Sequence, residues 1–245
     1  MPGLLNIDTI ADVKMLTDEN FRLGAKRDMT EAEFRHLFAI CGGLWMHNGD
    51  SKMPHAELTS GYCSNGFVDA LKALSYTNIC DIMALLSVRK LRQEWPCLKV
   101  DWVVSSDHAG AAFGHSVSRL LNARFDFTEK GPPGSEKQEW KRFTIQPGEV
   151  VLQVEELVTT TKTLTKVREG IQEGNKQPVT FAAVVFTLIH RSDVYEFGGG
   201  SIAFYKHLDI NIWHPSDCPL CKNGSKRLRP KAPQENWLRL TGQIN

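Results

Sequence analysis

Val150-Val151-Leu152-Gln153-Val154-Glu155-Glu156-Leu157-Val158-Thr159-Thr160-Thr161-Lys162-Thr163 is the stretch whose reading decides the fold. Its opening apolar run predicts a buried strand over 150–154. Two adjacent carboxylates close that strand on this reading. A hydroxyl-rich turn follows, and apolar residues at helical spacing then predict a helix over 163–172. Strand, acid pair, loop and helix in this order suit a phosphorylated sugar. A helix N-terminus leaves amides unpaired and carries partial positive charge, so it attracts phosphate. Thr159, Thr160, Thr161 and Thr163, with Lys162 among them, offer donors to phosphate oxygens. Glu155 and Glu156 can accept from two neighbouring ribose hydroxyls and set negative charge beside a developing positive centre. The same pattern also describes an ordinary capped helix after a strand.

Outward from this stretch the chain alternates. Strands are expected at 100–105, 123–128, 141–145 and 179–189, with a helix at 111–121. Before them, helices are expected at 30–46, 66–74 and 76–94. Thr30 and Glu33 give the first a capping-box start, and Phe34, Leu37, Phe38 and Cys41 line one face. Helices between apolar strands predict an α/β fold, a mostly parallel twisted sheet with flanking helices. Ligands of such sheets bind at the carboxyl ends of the strands. Ser106–Gly110, Glu155–Thr163 and His190-Arg191 all follow expected strands and so fall on one rim. The organisation expected is a helical hood region at 1–95, an α/β core at 96–212 and a tail at 213–245 packed on the same domain.

The 245 residues suffice for one sizeable core, and 42% hydrophobic with 23% charged residues describe an ordinary globule. A formal net charge of +1 points to no nucleic-acid or membrane partner. The first residues lack the basic and apolar blocks of a secretory signal, and no apolar run is long enough to span a membrane. Six cysteines without a compact framework are expected as reduced thiols in the cytoplasm.

The stretch at 150–163 resembles the phosphoribosyl-diphosphate motif of the type I phosphoribosyltransferases: apolar residues, two acids, then a Thr/Gly-rich loop. The wider chain resembles the longer orotate branch of that family. Ala56-Glu57-Leu58-Thr59-Ser60-Gly61-Tyr62 resembles its substrate-side segment. Val103 to Gly110 resembles its diphosphate-binding strand end and loop, and Phe127-Thr128-Glu129-Lys130 the start of its mobile catalytic loop. The resemblance covers roughly residues 30–240 in the family's order. It implies transfer of a phosphoribosyl group from phosphoribosyl diphosphate to a pyrimidine base, orotate in this branch, in pyrimidine nucleotide biosynthesis. It also implies a small hood from the N-terminal helices and the C-terminal segment, Mg²⁺ held mainly by substrate oxygens and water, a homodimer, and a lid over 129–142 that excludes water and offsets charge on the leaving group.

Carried over residue by residue, the resemblance gives Glu155 and Glu156 to the ribose and Thr159 to Thr163 to the 5′-phosphate. Ser106, Asp107, His108, Ala109 and Gly110 go to the diphosphate, with Lys130 or Lys137 as the catalytic lysine. Thr59, Ser60 and Phe67 are candidates for the base. Three departures stand out. The family places glycine at Thr161 and, in its short forms, lysine at Ala109, and its Lys-Asp-His-Gly lid signature is absent. These keep two rivals open: transfer to another base, and a regulator that binds phosphoribosyl diphosphate or nucleotide with little turnover.

His214-Pro-Ser-Asp-Cys218-Pro-Leu-Cys221 offers a pair of zinc-type ligands at 218 and 221. A structural zinc needs four ligands. His207, Cys41, Cys63 or Cys80 would have to complete the site through tertiary contact or a partner chain; otherwise the pair is two reduced thiols in a turn. The basic residues beyond, Lys222 to Lys231, read as a solvated tail.

Overall fold

The computed structural model describes residues 4–17, 21 and 28–244. Helices α1 (Ile10–Met15) and α2 (Glu31–Ile40) precede strands β1 (Leu44–Met46), β2 (His55–Glu57), β3 (Cys63–Ser64) and β4 (Gly66–Val68). Helices α3 (Ala70–Leu74) and α4 (Thr77–Glu94) lead to β5 (Trp102–Ser105), α5 (Ala109–Leu121), β6 (Arg124–Phe127), β7 (Glu129–Lys130) and β8 (Gln138–Glu139). Then come β9 (Val150–Val158), α6 (Lys162–Glu173), β10 (Thr180–His190), β11 (Glu196–Phe197) and β12 (Gly200–His207). Strands β13 (Ile212–Trp213) and β14 (Arg227–Leu228) alternate with α7 (Pro219–Lys222) and α8 (Gln234–Leu240) to the end.

Six strands form the central sheet in the order β11-β12-β10-β9-β5-β6. All neighbours are parallel except the antiparallel edge strand β11. This is the mostly parallel α/β sheet that the alternation predicts. Helices α4 and α5 cover one face, where Val103, Leu152, Val154 and Phe186 meet Ile79, Met83, Phe113 and Val117. On the other face Val104 and Val151 meet Val167 and Ile171 of α6, with Trp102 and Trp140. No described helix is long and apolar enough to cross a membrane.

A second sheet, β13-β3-β2-β14, forms the hood and joins residues 55–64 to 212–228. Strand β1 pairs with β4 beside it. These short strands overturn two expected elements. The helix expected over 30–46 stops at Ile40, because Gly42 takes φ +68° and Gly43 folds its amide back onto the Phe38 carbonyl at 2.8 Å. The helix expected over 66–74 begins only at Ala70, since 66–68 pairs with β1.

Two further expectations change in the core. No strand forms over 141–145. Trp140 turns into the core instead, its indole donating to the Phe143 carbonyl at 2.5 Å. The ladder lies earlier, where Lys130 faces Gln138 and Glu129 faces Glu139. Strand β12 was not expected, because its sequence is broken by polar groups. Tyr205 donates to Asp28 at 2.6 Å, and Lys206 donates to the Met29 carbonyl, so both buried polar ends are satisfied by the segment before α2.

Candidate active site

The acid pair sits on β9, near its carboxyl end. The expected end of the strand at residue 154 is corrected: β9 continues to Val158, with Glu155 opposite Thr187 and Leu157 opposite Ile189. Glu155 is 2% exposed. Its carboxyl accepts from the Ser106 hydroxyl at 2.6 Å and from the Ser106 amide at 3.1 Å. Glu156 is only partly buried, yet its Oε2 is covered and has no partner among the described residues. Burial pushes both carboxyls up from the usual glutamate range. The charge of Glu156 adds to the shift of Glu155, and those of Asp107 and Asp69 to that of Glu156. An acid pair with an open buried oxygen is built to receive hydrogen-bond donors or a cation.

Residues 106–108 link β5 to α5, and with Ala109 and Gly110 in the first turn of α5 they lie against the pair. His108 adopts φ +57°, ψ −113°, a conformation that side chains other than hydrogen resist. Strain of this kind costs about 1–3 kcal/mol and concentrates at functional sites. Gly110 makes the close approach. A Cβ there would stand 2.8 Å from the Ser106 Oγ, 3.1 Å from Glu155 Oε2 and 3.2 Å from Glu156 Oε2. Ala109 is buried beside it. Asp107 meets Lys130 at 3.5 Å and His108 at 3.6 Å.

Beyond β9, Thr159 and Thr160 are exposed, as are Lys162 and Thr163. Thr161 takes φ −80°, ψ 0° at the N-cap of α6, and its side chain makes no capping bond. The turn therefore requires no left-handed residue, and the absence of glycine leaves it unstrained. It also leaves the first amides of α6 without a side-chain cap.

The two candidate lysines part company. Lys130 reaches Asp107 in the 106–108 loop, whereas Lys137 pairs with Glu173 at 3.1 Å, at the far end of α6. The β7–β8 hairpin lies directly on α6, so close that a Cβ at Gly170 would stand 2.2 Å from the Gln138 carbonyl. Thr59 and Ser60 occupy an exposed turn closed by Gly61 donating to Leu58 at 2.8 Å. No described contact joins them to the acid pair. Phe67 packs edge-on to Trp237 with 6.1 Å between centroids.

One cation beside the rim escaped the sequence reading, and a second, Arg191, was placed on the rim without a role. Lys231, read as part of a solvated tail, lies 3.7 Å from Asp69 and over the Phe67 ring. Only the tertiary fold brings it there. Arg191 follows β10, with its amide donating to the Val158 carbonyl at 2.9 Å. Its Nε is buried without a partner among the described residues. Its position after a strand was the one available signal. Cys218 and Cys221 lie apart from this rim in the hood, with His55 and Cys63. His214 turns instead to Ser216, and His207 to His190.

No family model matches the chain. The chain is similar to the orotate phosphoribosyltransferase of Thermotoga petrophila, 30% identical over 177 residues, covering 72% of this chain and 89% of the relative. It is 26% identical over 189 residues to the orotate phosphoribosyltransferase of a Sulfurovum species, covering 72% of this chain and 90% of that one. Among solved structures, the UMP synthase of Leishmania donovani superposes with a TM-score of 0.54 at 16% identity. That match covers 88% of this chain but only 43% of the other, and it speaks to the fold.

Proposed function

This chain belongs to the orotate phosphoribosyltransferase family, and we propose that it transfers the phosphoribosyl group of phosphoribosyl diphosphate to orotate. The observation that carries the reading is the buried acid pair with its open Glu156 oxygen, set between a strained loop and an uncapped helix N-terminus. Glu155 and Glu156 receive the ribose hydroxyls, and their charge stabilises the oxocarbenium-like centre at C1′. Thr159 to Thr163 and the first amides of α6 hold the 5′-phosphate. Ser106 to Gly110 line the diphosphate, and Lys130 offsets the negative charge that grows on it. The C1′–O bond to diphosphate breaks with its electron pair leaving on oxygen, N1 of orotate bonds to C1′, and the N1 proton is lost. Arg191 supplies a cation for an anionic group of the substrates.

The carboxylates of Asp107 and Asp69 act on Glu156, and such a set of carboxylate oxygens suits Mg²⁺. When bound there it would neutralise diphosphate charge. The proposal includes a homodimer in which the turn 131–137 serves the partner's site. The regulator reading loses one of its supports, since Thr161 needs no glycine-like backbone.

Isothermal titration with phosphoribosyl diphosphate and Mg²⁺ tests the site, and orotate added to the same sample tests the base. Binding followed by a loss of orotate ultraviolet absorbance is expected. Binding with turnover only on another base would overturn the orotate assignment. No binding would overturn the site itself.

A further inference from the structure

The hood brings together four side chains that the transfer chemistry does not use. His55 on β2, Cys63 on β3, Cys218 at the N-cap of α7 and Cys221 within α7 place their ligand atoms within 4.8 Å of one another. Three of the four residues are buried and Cys221 is half-buried. Cys221 Sγ lies 3.6 Å from Cys63 Sγ and 3.4 Å from His55 Nε2, and Cys218 Sγ lies 3.6 Å from the same nitrogen. A disulfide would need about 2.05 Å between sulfurs. A zinc tetrahedron, with Zn–S near 2.3 Å and Zn–N near 2.05 Å, sets S···S at about 3.8 Å and S···N at about 3.6 Å. The three separations given match edges of such a tetrahedron, and every other pair of ligand atoms lies within 4.8 Å.

The protonation of the histidine agrees. The Ser225 hydroxyl donates to the Met53 carbonyl at 2.6 Å and stands 2.8 Å from His55 Nδ1. Its one proton is committed to Met53, so Nδ1 must carry the imidazole proton and donate. Nε2 is left with a bare lone pair directed at the sulfurs. An outer partner on the far ring nitrogen is how metal-bound histidines are oriented. The Cys221 amide also donates to Cys218 Sγ at 3.4 Å, as it would to a thiolate.

We propose that His55, Cys63, Cys218 and Cys221 bind one structural Zn²⁺. The four ligands close the coordination sphere, so the ion has no open position for chemistry. Its work is mechanical. It ties the C-terminal segment at α7 to β2 and β3, whose connecting turn 58–62 carries Thr59 and Ser60. The proposal stands on these residues alone and does not depend on the transferase reading.

The test is metal analysis of the full-length chain purified under reducing conditions and supplemented with Zn²⁺. One zinc per chain is expected, with Cys221→Ser and His55→Ala each losing most of it. Replacement by Co²⁺ should give the visible bands of a tetrahedral thiolate site. Should the Ser or Ala variants fail to fold, His55→Cys keeps four ligands and should still bind Co²⁺, with about one third more thiolate charge-transfer intensity. Chelation should raise amide hydrogen exchange over 58–62. A chain that takes up no stoichiometric metal, a Cys63–Cys221 disulfide recovered by thiol trapping, or metal retained after Cys63 and Cys221 are both replaced would overturn the proposal.

Discussion

Gly110→Ala adds a single methyl group to the candidate active site. That methyl would stand 2.8 Å from the Ser106 Oγ and within 3.2 Å of both glutamate carboxyls. The Ser106 hydroxyl is already held by Glu155 at 2.6 Å, so either this bond breaks or the acids move. Overpacking of this kind costs about 1–3 kcal/mol. Gly110 is helical, and alanine recovers up to about 1 kcal/mol of helix propensity there. The net destabilisation is therefore roughly 0–3 kcal/mol, a fall in Tm of no more than about 12 °C for a chain of this size. Catalysis should suffer far more, because a displacement of about 1 Å in a positioning group can cost on the order of 10²-fold. The assay is phosphoribosyl-diphosphate-dependent loss of orotate absorbance, run beside thermal unfolding. A folded Gly110→Ala enzyme with at least half the wild-type kcat/KM would refute the placement of substrate against Ser106, Glu155 and Glu156.

Other outcomes follow from the same geometry. Lys130→Ala should lower kcat by about 10²-fold or more when assayed alone, whereas Lys137→Ala should act mainly where the partner's site is intact; mixed dimers carrying one variant in each chain separate the two. Thr161→Gly should not improve affinity, because φ is already −80°; calorimetry showing tighter phosphoribosyl-diphosphate binding would mean that the bound turn differs. The folded-state pKa values of Glu155 and Glu156 lie above their unfolded values. The stability this confers is complete below the unfolded pKa of about 4.3 and is lost as pH rises through the folded values. The ligand-free protein should therefore lose more stability between pH 5 and pH 9 than the Glu155→Gln, Glu156→Gln double variant does, as read by denaturant melts at each pH.

The parts of the fold that were legible are those written in local periodicity. Strands β5, β9 and β10 and helices α4, α5 and α6 each carry their apolar pattern within one short window, so their existence and order follow from the sequence. The acid pair was legible for the same reason. Gln153 shows where local reading stops. Its place inside a buried strand implied a polar partner, but not that its amide would donate to the Leu164 carbonyl at 3.2 Å while Arg168 donates to its oxygen. The strands of the hood were illegible because they are two or three residues long and pair across great sequence distance, Trp213 with Cys63 and Arg227 with His55. No periodicity develops in so few residues, and a lone histidine at 55 carries no mark of the cysteines that meet it. Thr161 misled differently. A glycine in relatives suggests a left-handed turn, but glycine is equally at ease in the right-handed one seen here.

The location of unsatisfied polarity argues for what the rim must bind. This chain otherwise completes its buried hydrogen bonds with care. Thr30 and Glu33 form both halves of a capping box, and Asn175 accepts from Ile145 while donating to Ile171. Among the described residues, four buried side-chain atoms lack partners: Arg35 Nε, Ser87 Oγ, Glu156 Oε2 and Arg191 Nε. Glu156 lies on β9 near its carboxyl end, and Arg191 follows the carboxyl end of β10, the neighbouring strand. One is an acceptor and the other a donor, so they call for opposite ligand groups. A bare phosphate would answer Arg191 and be repelled by the acids. A neutral sugar would answer Glu156 and leave Arg191 open. A ligand set that presents hydroxyls to the acids and an anionic group to the guanidinium satisfies both, and a phosphorylated ribose joined by a carboxylate-bearing base has that composition.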